Sequence, residues 1–151
     1  MRPRKWLNRG GAAAVAVWAC VLFVVGGTLM VGHWYTLPKP ARDNPEMATA
    51  LNGLRSAKQR DRWLMVHVLY AQCRCSQRIF DHLFSSARPD GVVEKIILVG
   101  EHAAYRRRAT HAGFEVVVVS PSDLKSRFAI TAAPLLAVSD PSGHVRYLGG
   151  Y

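Results

Sequence analysis

The stretch "WLMVHVLYAQCRC" (Trp63–Cys75) decides the reading of this chain. Its first eight residues are almost continuously apolar. That is the pattern of a strand buried on both faces, not of one alternating between core and solvent. The apolar run then stops, and two cysteines, Cys73 and Cys75, stand one residue apart. Helical spacing begins at once behind them, with Ile79, Leu83 and Phe84 along one side of a helix over Cys73–Ala87. The cysteines therefore fall at a strand-to-helix junction. In open α/β sheets, chemistry collects at the carboxyl ends of strands.

The flanking sequence extends the same alternation. Arg88-Pro89-Asp90-Gly91 stops the helix and turns the chain. Val92–Val99, "VVEKIILV", reads as a second strand, Glu101–Ala112 as a polar, basic helix ending at Gly113, and Phe114–Ser120, "FEVVVVS", as a third strand. A short helix begins at Ser122 and is broken by Ala132-Ala133-Pro134. Leu135–Ser139 is a fourth strand, Asp140–Gly143 a hairpin turn and His144–Leu148 a fifth strand. Upstream, Met47, Ala50, Leu51, Leu54 and Ala57 recur at helical spacing, with Arg55, Lys58 and Arg60 on the other faces. This predicts one amphipathic helix over Met47–Asp61. The order βαβαβα followed by a β-hairpin predicts parallel crossovers and an antiparallel edge. The expected fold class is α/β, a three-layer α/β/α sandwich around a mixed sheet.

The 151 residues carry a net charge of +10, and position matters more than the total. Arg2, Arg4, Lys5 and Arg9 crowd the start of the chain, and Gly10–Gly32 then holds no charge. That run matches the ~20 residues needed to cross a bilayer and exceeds the ~7–15 of a secretory signal. The reading is a cytoplasmic basic N-terminus over 1–10, a transmembrane signal-anchor over 11–33, a Pro-rich tether over 34–46 and a folded domain over 47–151. Trp34 and Tyr35 suit the membrane interface. Cys20, mid-span beside Trp18, reads as a small packing residue. The anchor puts the basic helix around Tyr105–Gly113 outside the cytoplasm, which argues for a solvated face and against nucleic acid.

Two cysteines then remain beyond the membrane, and in an oxidising compartment an even count argues for pairing. The helix behind them points its unpaired amides and positive dipole end at the junction. Arg74 and Arg78 add positive charge. Each effect lowers a thiol pKa, so one cysteine, Cys73 before Cys75, is expected to be an activated nucleophile. A Cys73–Cys75 bridge closes a very small loop. It would stabilise the fold little, be strained and be readily reduced, which predicts a relatively oxidising couple. Two thiolates also suit Cu(I), but His67, His102, His111 and His144 stand at no diagnostic spacing to supply further ligands.

From Trp63 to Tyr151 the chain resembles the thioredoxin-like superfamily. It looks most like the membrane-tethered extracytoplasmic thiol–disulfide oxidoreductases that insert an extra strand and helix before a proline. "WLMVHVLYAQCRC", "FAITAAPLLAVSDPSGHVRYLGGY" and the order of elements between them carry the resemblance. It implies that Ala133–Pro134 is cis and lies against the cysteines. It also implies that His67 takes the place of the buried acid beneath the second cysteine, where it could accept or relay a proton. No cofactor is implied. The implied partners are protein thiols and disulfides, a membrane-embedded or periplasmic redox partner, and lipid through the anchor. The implied location is a bacterial inner membrane, single-pass, with the domain in the periplasm or outside the cell.

Three departures accompany the resemblance. The usual motif has two residues between its cysteines, and only Arg74 is here. Either Cys73 is the first cysteine and Ser76 holds the second's place, or Cys75 is the second and Gln72 holds the first's. The usual tryptophan before the motif is absent. The given sequence stops at Tyr151, where the family adds a closing helix after the hairpin, so that face is expected to be covered by the Met47–Asp61 helix or by a partner, or the chain is a truncated product. The expected activity is that of a thiol–disulfide oxidoreductase or isomerase, with Cys73 attacking and Cys75 resolving. The alternatives are a copper-binding or metallochaperone protein with Cys73 and Cys75 as ligands, and a non-catalytic thioredoxin-like binding domain.

Overall fold

Uncharged residues from Gly10 to Val31 leave that segment without a charged side to turn to water. In the computed structural model, which describes residues 4–36 and 43–151, the chain forms two units divided between Pro38 and Lys39. The first unit is a single helix, α1 (Arg4–Thr36). Its 22-residue segment Gly10–Val31 is long and apolar enough to cross a membrane. Thr28 returns its hydroxyl to the Val24 and Val25 carbonyls at 2.9 and 3.0 Å, which removes a bare donor from an apolar surface. The helix runs on through Trp34–Thr36, the start of the expected tether. Residues 37–42 of that tether lie outside the described residues.

The second unit opens with α2 (Pro45–Asn52) and a 3-10 turn (Ala57–Gln59). It continues through β1 (Trp63–Tyr70), α3 (Arg74–Ser85), β2 (Val92–Val99), α4 (Ala103–His111), β3 (Glu115–Val119), α5 (Pro121–Phe128), β4 (Leu135–Ser139) and β5 (Val145–Gly149). The five strands form one sheet in the order β3-β2-β1-β4-β5. β1 pairs in parallel with β2 from Trp63↔Val92 to Tyr70↔Val99. On its other edge it pairs antiparallel with β4 from Leu64↔Ser139 to Val68↔Leu135. Right-handed crossovers put α3 and α4 on one face, and the return from β3 to β4 puts α5 on the other.

Alternate residues of β1 feed two cores. Leu64, Val66 and Val68 join Met47 and Leu51 of α2 and Leu124 and Phe128 of α5. Leu69 and Ala71 join Phe80 of α3, Ala109 of α4, Ile96, Leu98 and Phe114. The result is the three-layer sandwich around a mixed sheet. The same alternation explains the adjacent charges inside β2, since a buried charge needs a partner on its own face. Glu94 turns to the α3/α4 side, where Arg88 Nε donates to it at 2.7 Å. Lys95 turns to the other side and donates to the Leu54 carbonyl and to Glu115.

The expected Met47–Asp61 helix is corrected. α2 begins earlier, because the Asn44 side chain accepts from the Glu46 and Met47 amides and Pro45 fits the first helical position. It ends at Asn52, with Gly53 as its cap. The chain then turns so that Arg55 can clamp the β4–β5 hairpin. Arg55 Nη2 donates to the carbonyls of Ser139 (3.1 Å) and Asp140 (2.6 Å), and Nη1 donates to Asn52 Oδ1 (2.7 Å). Asn52 Nδ2 in turn donates to the Gly143 carbonyl at 2.7 Å. Gly143 has φ +91°, and a Cβ there would stand 2.7 Å from Asn52 Nδ2. Asp140 holds the turn from within, accepting from Ser142 Oγ, the His144 amide and Arg146 Nε.

α2 is committed to the α5 side, because Met47 and Leu51 bury there. On the α3/α4 side, Leu136 and Val138 of β4 are half-buried, and Tyr147, paired with Val138, is exposed.

Two outcomes follow for the full chain in detergent, measured by urea denaturation. Leu51→Ala lowers stability by about 2–5 kcal/mol through the cavity it leaves, whereas a change at exposed Lys58 stays within about 0.5 kcal/mol. Asp140 is held far below the usual carboxylate range, first by Ser142 and then by Arg146 and the His144 amide. A depressed folded pKa adds stability above the unfolded value of ~3.9 and loses it as pH falls. Asp140→Asn therefore destabilises the protein at pH 7, and its deficit against the native chain narrows below about pH 4.

Candidate functional site

Tyr70 ends β1, and a tight turn carries the chain into α3. The Ala71 amide still donates to Val99 and the Cys73 amide to the Tyr70 carbonyl. Cys73 has extended backbone (φ −88°, ψ 127°) and is the N-cap of α3, its carbonyl accepting the first helical bond from Gln77. The first turn holds Arg74 and Cys75, both exposed, and Ser76, fully buried. Ser76 Oγ accepts from the Tyr70 amide at 3.0 Å, so this hydroxyl ties the helix to the end of the strand. Cys73 thus caps the helix, and Ser76 lies buried within its first turn.

The half-buried Cys73 thiol makes no capping hydrogen bond of its own. The amides at the helix end therefore stay open for an anion. They hold its pKa below the ordinary thiol value, the Ser76 amide contributing most and the Cys75 amide next. The side chains of Cys75 and Ser76 act the same way, while partial burial opposes them. All three cysteines, Cys20, Cys73 and Cys75, are free thiols.

Pro134 reaches this end of the sheet by register. β4 runs antiparallel to β1, and Leu135 lies opposite Val68, so Pro134 arrives at the level where β1 gives way to the cysteine turn. The Ala133–Pro134 peptide is cis.

His67 lies deeper on the α3/α4 face and is 2 % exposed. Its Nδ1 is hydrogen-bonded to the Tyr151 hydroxyl at 2.5 Å, and the two rings stack. Its Nε2 is 3.6 Å from Glu94 Oε1, close enough for an ion pair and too far for a good hydrogen bond. The Phe114 ring meets it edge-on. None of these partners belongs to the Cys73–Ser76 turn. Glu94 is held below the usual carboxylate range, first by His67 and then by Arg88, with burial opposing. Burial, then the nearby Glu94 charge, raises the Tyr151 phenol well above its ordinary value, so the hydroxyl stays protonated. The structure thus groups Cys73 and Cys75 at the start of α3 with Pro134 at the same sheet end. His67 belongs to a buried Tyr151–His67–Glu94–Arg88 chain beneath.

Sequence reasoning missed Ser76 as an anchoring hydroxyl and Glu94, Arg88 and Tyr151 as partners of His67. The charge of Glu94 inside "VVEKIILV" was the available signal, because a carboxylate in a buried strand demands a partner. Among the described residues, no group of three or more His, Cys, Asp and Glu side chains is placed to hold a metal ion. His144, on the β4–β5 turn, lies at the opposite end of the sheet from Cys73.

No protein-family model matches the chain, and no curated protein matches its sequence. Solved structures do match its fold. A thioredoxin-like protein solved in its oxidised form superposes with a TM-score of 0.52 at 16 % identity, over 67 % of this chain and 76 % of that one. A candidate thioredoxin from Neisseria meningitidis gives a TM-score of 0.51 at 10 % identity, over 64 % and 70 % of the two chains. With its strand order, the cysteine-capped α3 and its proline at the matching end of the sheet, the chain has the thioredoxin-like fold of these structures.

Proposed function

We propose that this chain is a membrane-tethered extracytoplasmic thiol–disulfide oxidoreductase with Cys73 as nucleophile and Cys75 as resolving thiol. The observation that carries this reading is the Cys73 sulfur at the open N-terminus of α3, its pKa lowered by the Ser76 and Cys75 amides. The thiolate is the attacking form, and this position favours it.

The Cys73 thiolate attacks one sulfur of a substrate disulfide. The Cys73–substrate bond forms, the substrate S–S bond breaks, and the other substrate sulfur leaves as a thiolate. The Cys75 thiolate then attacks Cys73, releasing the second substrate thiolate and leaving a Cys73–Cys75 disulfide. The substrate gains two electrons and the pair loses two. The reverse sequence oxidises a dithiol. Ser76 cannot resolve, and its buried hydroxyl instead fixes the strand–helix junction. Ala133, before Pro134, offers backbone to an extended substrate segment. His67, backed by Tyr151 and Glu94, is the buried group that takes up or relays a proton.

In this reading α1 anchors the protein once in a bacterial inner membrane, with the basic N-terminus in the cytoplasm and the domain in the periplasm or outside the cell. Substrates are protein thiols and disulfides, and a membrane-embedded or periplasmic partner resets the pair.

In a Cys20→Ser/Cys75→Ser background, Cys73 alkylation by iodoacetamide should titrate below the free-thiol value of about 8.5. Adding Ser76→Ala should move the titration upward. An apparent pKa at or above the free-thiol value would falsify the nucleophile assignment. Expressed in cells, Cys75→Ser should accumulate mixed disulfides that a reductant releases, whereas Cys73→Ser should accumulate none. Absence of mixed disulfides with Cys75→Ser, together with stoichiometric Cu(I) bound to the two thiols of the native chain, would favour the metal-handling reading instead.

A further inference from the structure

One edge of the sheet is unpartnered. Among the described residues β3 pairs only with β2, in parallel and without a bulge. The Val119 carbonyl accepts from Gly100, so the backbone of Val119, and by alternation of Val117 and Glu115, turns inward. Val116 and Val118 then direct their N–H and C=O groups outward. Edges are usually blunted by proline, lysine or a bulge. This edge has none of them, and four successive valines, Val116–Val119, form it.

Beside the edge lies a cleft of about 300 Å³, lined by Arg106, Arg107, Thr110 and His111 of α4 and by Val116. Arg108 turns away to Asp81 at 3.2 Å. Arg106 reaches Glu101 only at 3.7 Å, with both side chains more than half exposed. Arg107 has no carboxylate partner among the described residues. The acids near the two ends of β3 are engaged elsewhere. Glu115 binds Lys95 and Gln59, and Asp123 is folded onto Ser120 as a helix cap. Open backbone and unspent positive charge therefore run side by side.

We propose that the outer edge of β3 and the adjoining arginine cleft dock an extended peptide segment carrying acidic side chains, added to the sheet as a sixth strand. Backbone hydrogen bonds to Val116 and Val118 supply affinity, and acidic side chains on the α4 side meet Arg106, Arg107 and His111. A second copy is disfavoured as the occupant, because β3-to-β3 pairing about a two-fold axis would bring two such arginine clusters together. The site is separate from the cysteine turn and stands independently of the redox reading.

The test uses the full chain in zwitterionic detergent with a fluorescein-labelled decapeptide of alternating Glu and Val, against its Lys–Val counterpart. Anisotropy should report binding of the acidic peptide alone, weakening with added salt. Arg106→Glu/Arg107→Glu should weaken it by roughly tenfold or more, with Cys73 alkylation unchanged. Amide exchange at Val116 and Val118 should slow on binding. Equal binding of both peptides, unprotected amides at Val116 and Val118, or peptide-free protection that grows with protein concentration would each overturn the proposal, the last by pointing to self-association.

Discussion

The double pairing of β1 is the interaction on which the folded unit depends. A strand apolar along its length can be buried only if both its hydrogen-bonding edges and both its faces are covered. β2 takes one edge in parallel and β4 takes the other antiparallel. The direction of β4 has a chemical result. Because it runs against β1, its first residues meet the last residues of β1, and Pro134 arrives where Cys73 departs. Two segments far apart in sequence thus converge through strand register alone.

The second constraint is the partnering of charge inside the sheet. Glu94 and Lys95 are consecutive and both nearly inaccessible, so they must point to opposite cores. Each reaches out of its core to find a counter-charge, Glu94 to Arg88 and Lys95 to Glu115. The Glu94 side also holds His67 and Tyr151, which gives the α3/α4 core a polar seam within its apolar packing. Arg88 closes the seam at its outer end. It stacks on Phe114 at 4.4 Å and donates to the Gly113 carbonyl.

Sequence was most informative where apolar runs met clear turns. β1, β2 and β4 begin and end where the residues alone placed them. Their edges are set by local changes from apolar to turn-forming chemistry, which a sequence carries directly. The stretch from Met47 to Asp61 failed because its helical spacing is real but the helix is cut by long-range bonds. Arg55 Nη2 donates to two hairpin carbonyls, and nothing in its neighbours announces that. The capping signal of Asn44-Pro45 was readable and would have moved the start correctly. At the site, Cys73 and Cys75 stood out by type and spacing. Which of them begins the helix depended on where the first turn closes, and the buried Ser76 hydroxyl fixes that. The partners of His67 were hidden for a different reason: they meet it only through the register of β1 with β2 and through the path of the chain beyond β5.

The hydrogen bond from Asn52 to Gly143 bears on how this domain could be re-engineered. Exposed hairpin tips are ordinarily the places where a chain accepts a spliced peptide or new termini. Here the tip is the far wall of a lock: Gly143 sits with no room for a Cβ, and Arg55 holds the adjoining carbonyls. Opening it for an insertion would release α2 as well as the turn. The loop at Pro89–Gly91 is less enclosed: Gly91 keeps a glycine-favouring φ of +75° but has only empty space around it. A circular permutation of this domain therefore belongs between α3 and β2, and the apparently simpler cut between β4 and β5 would sever the clamp that seats its first helix.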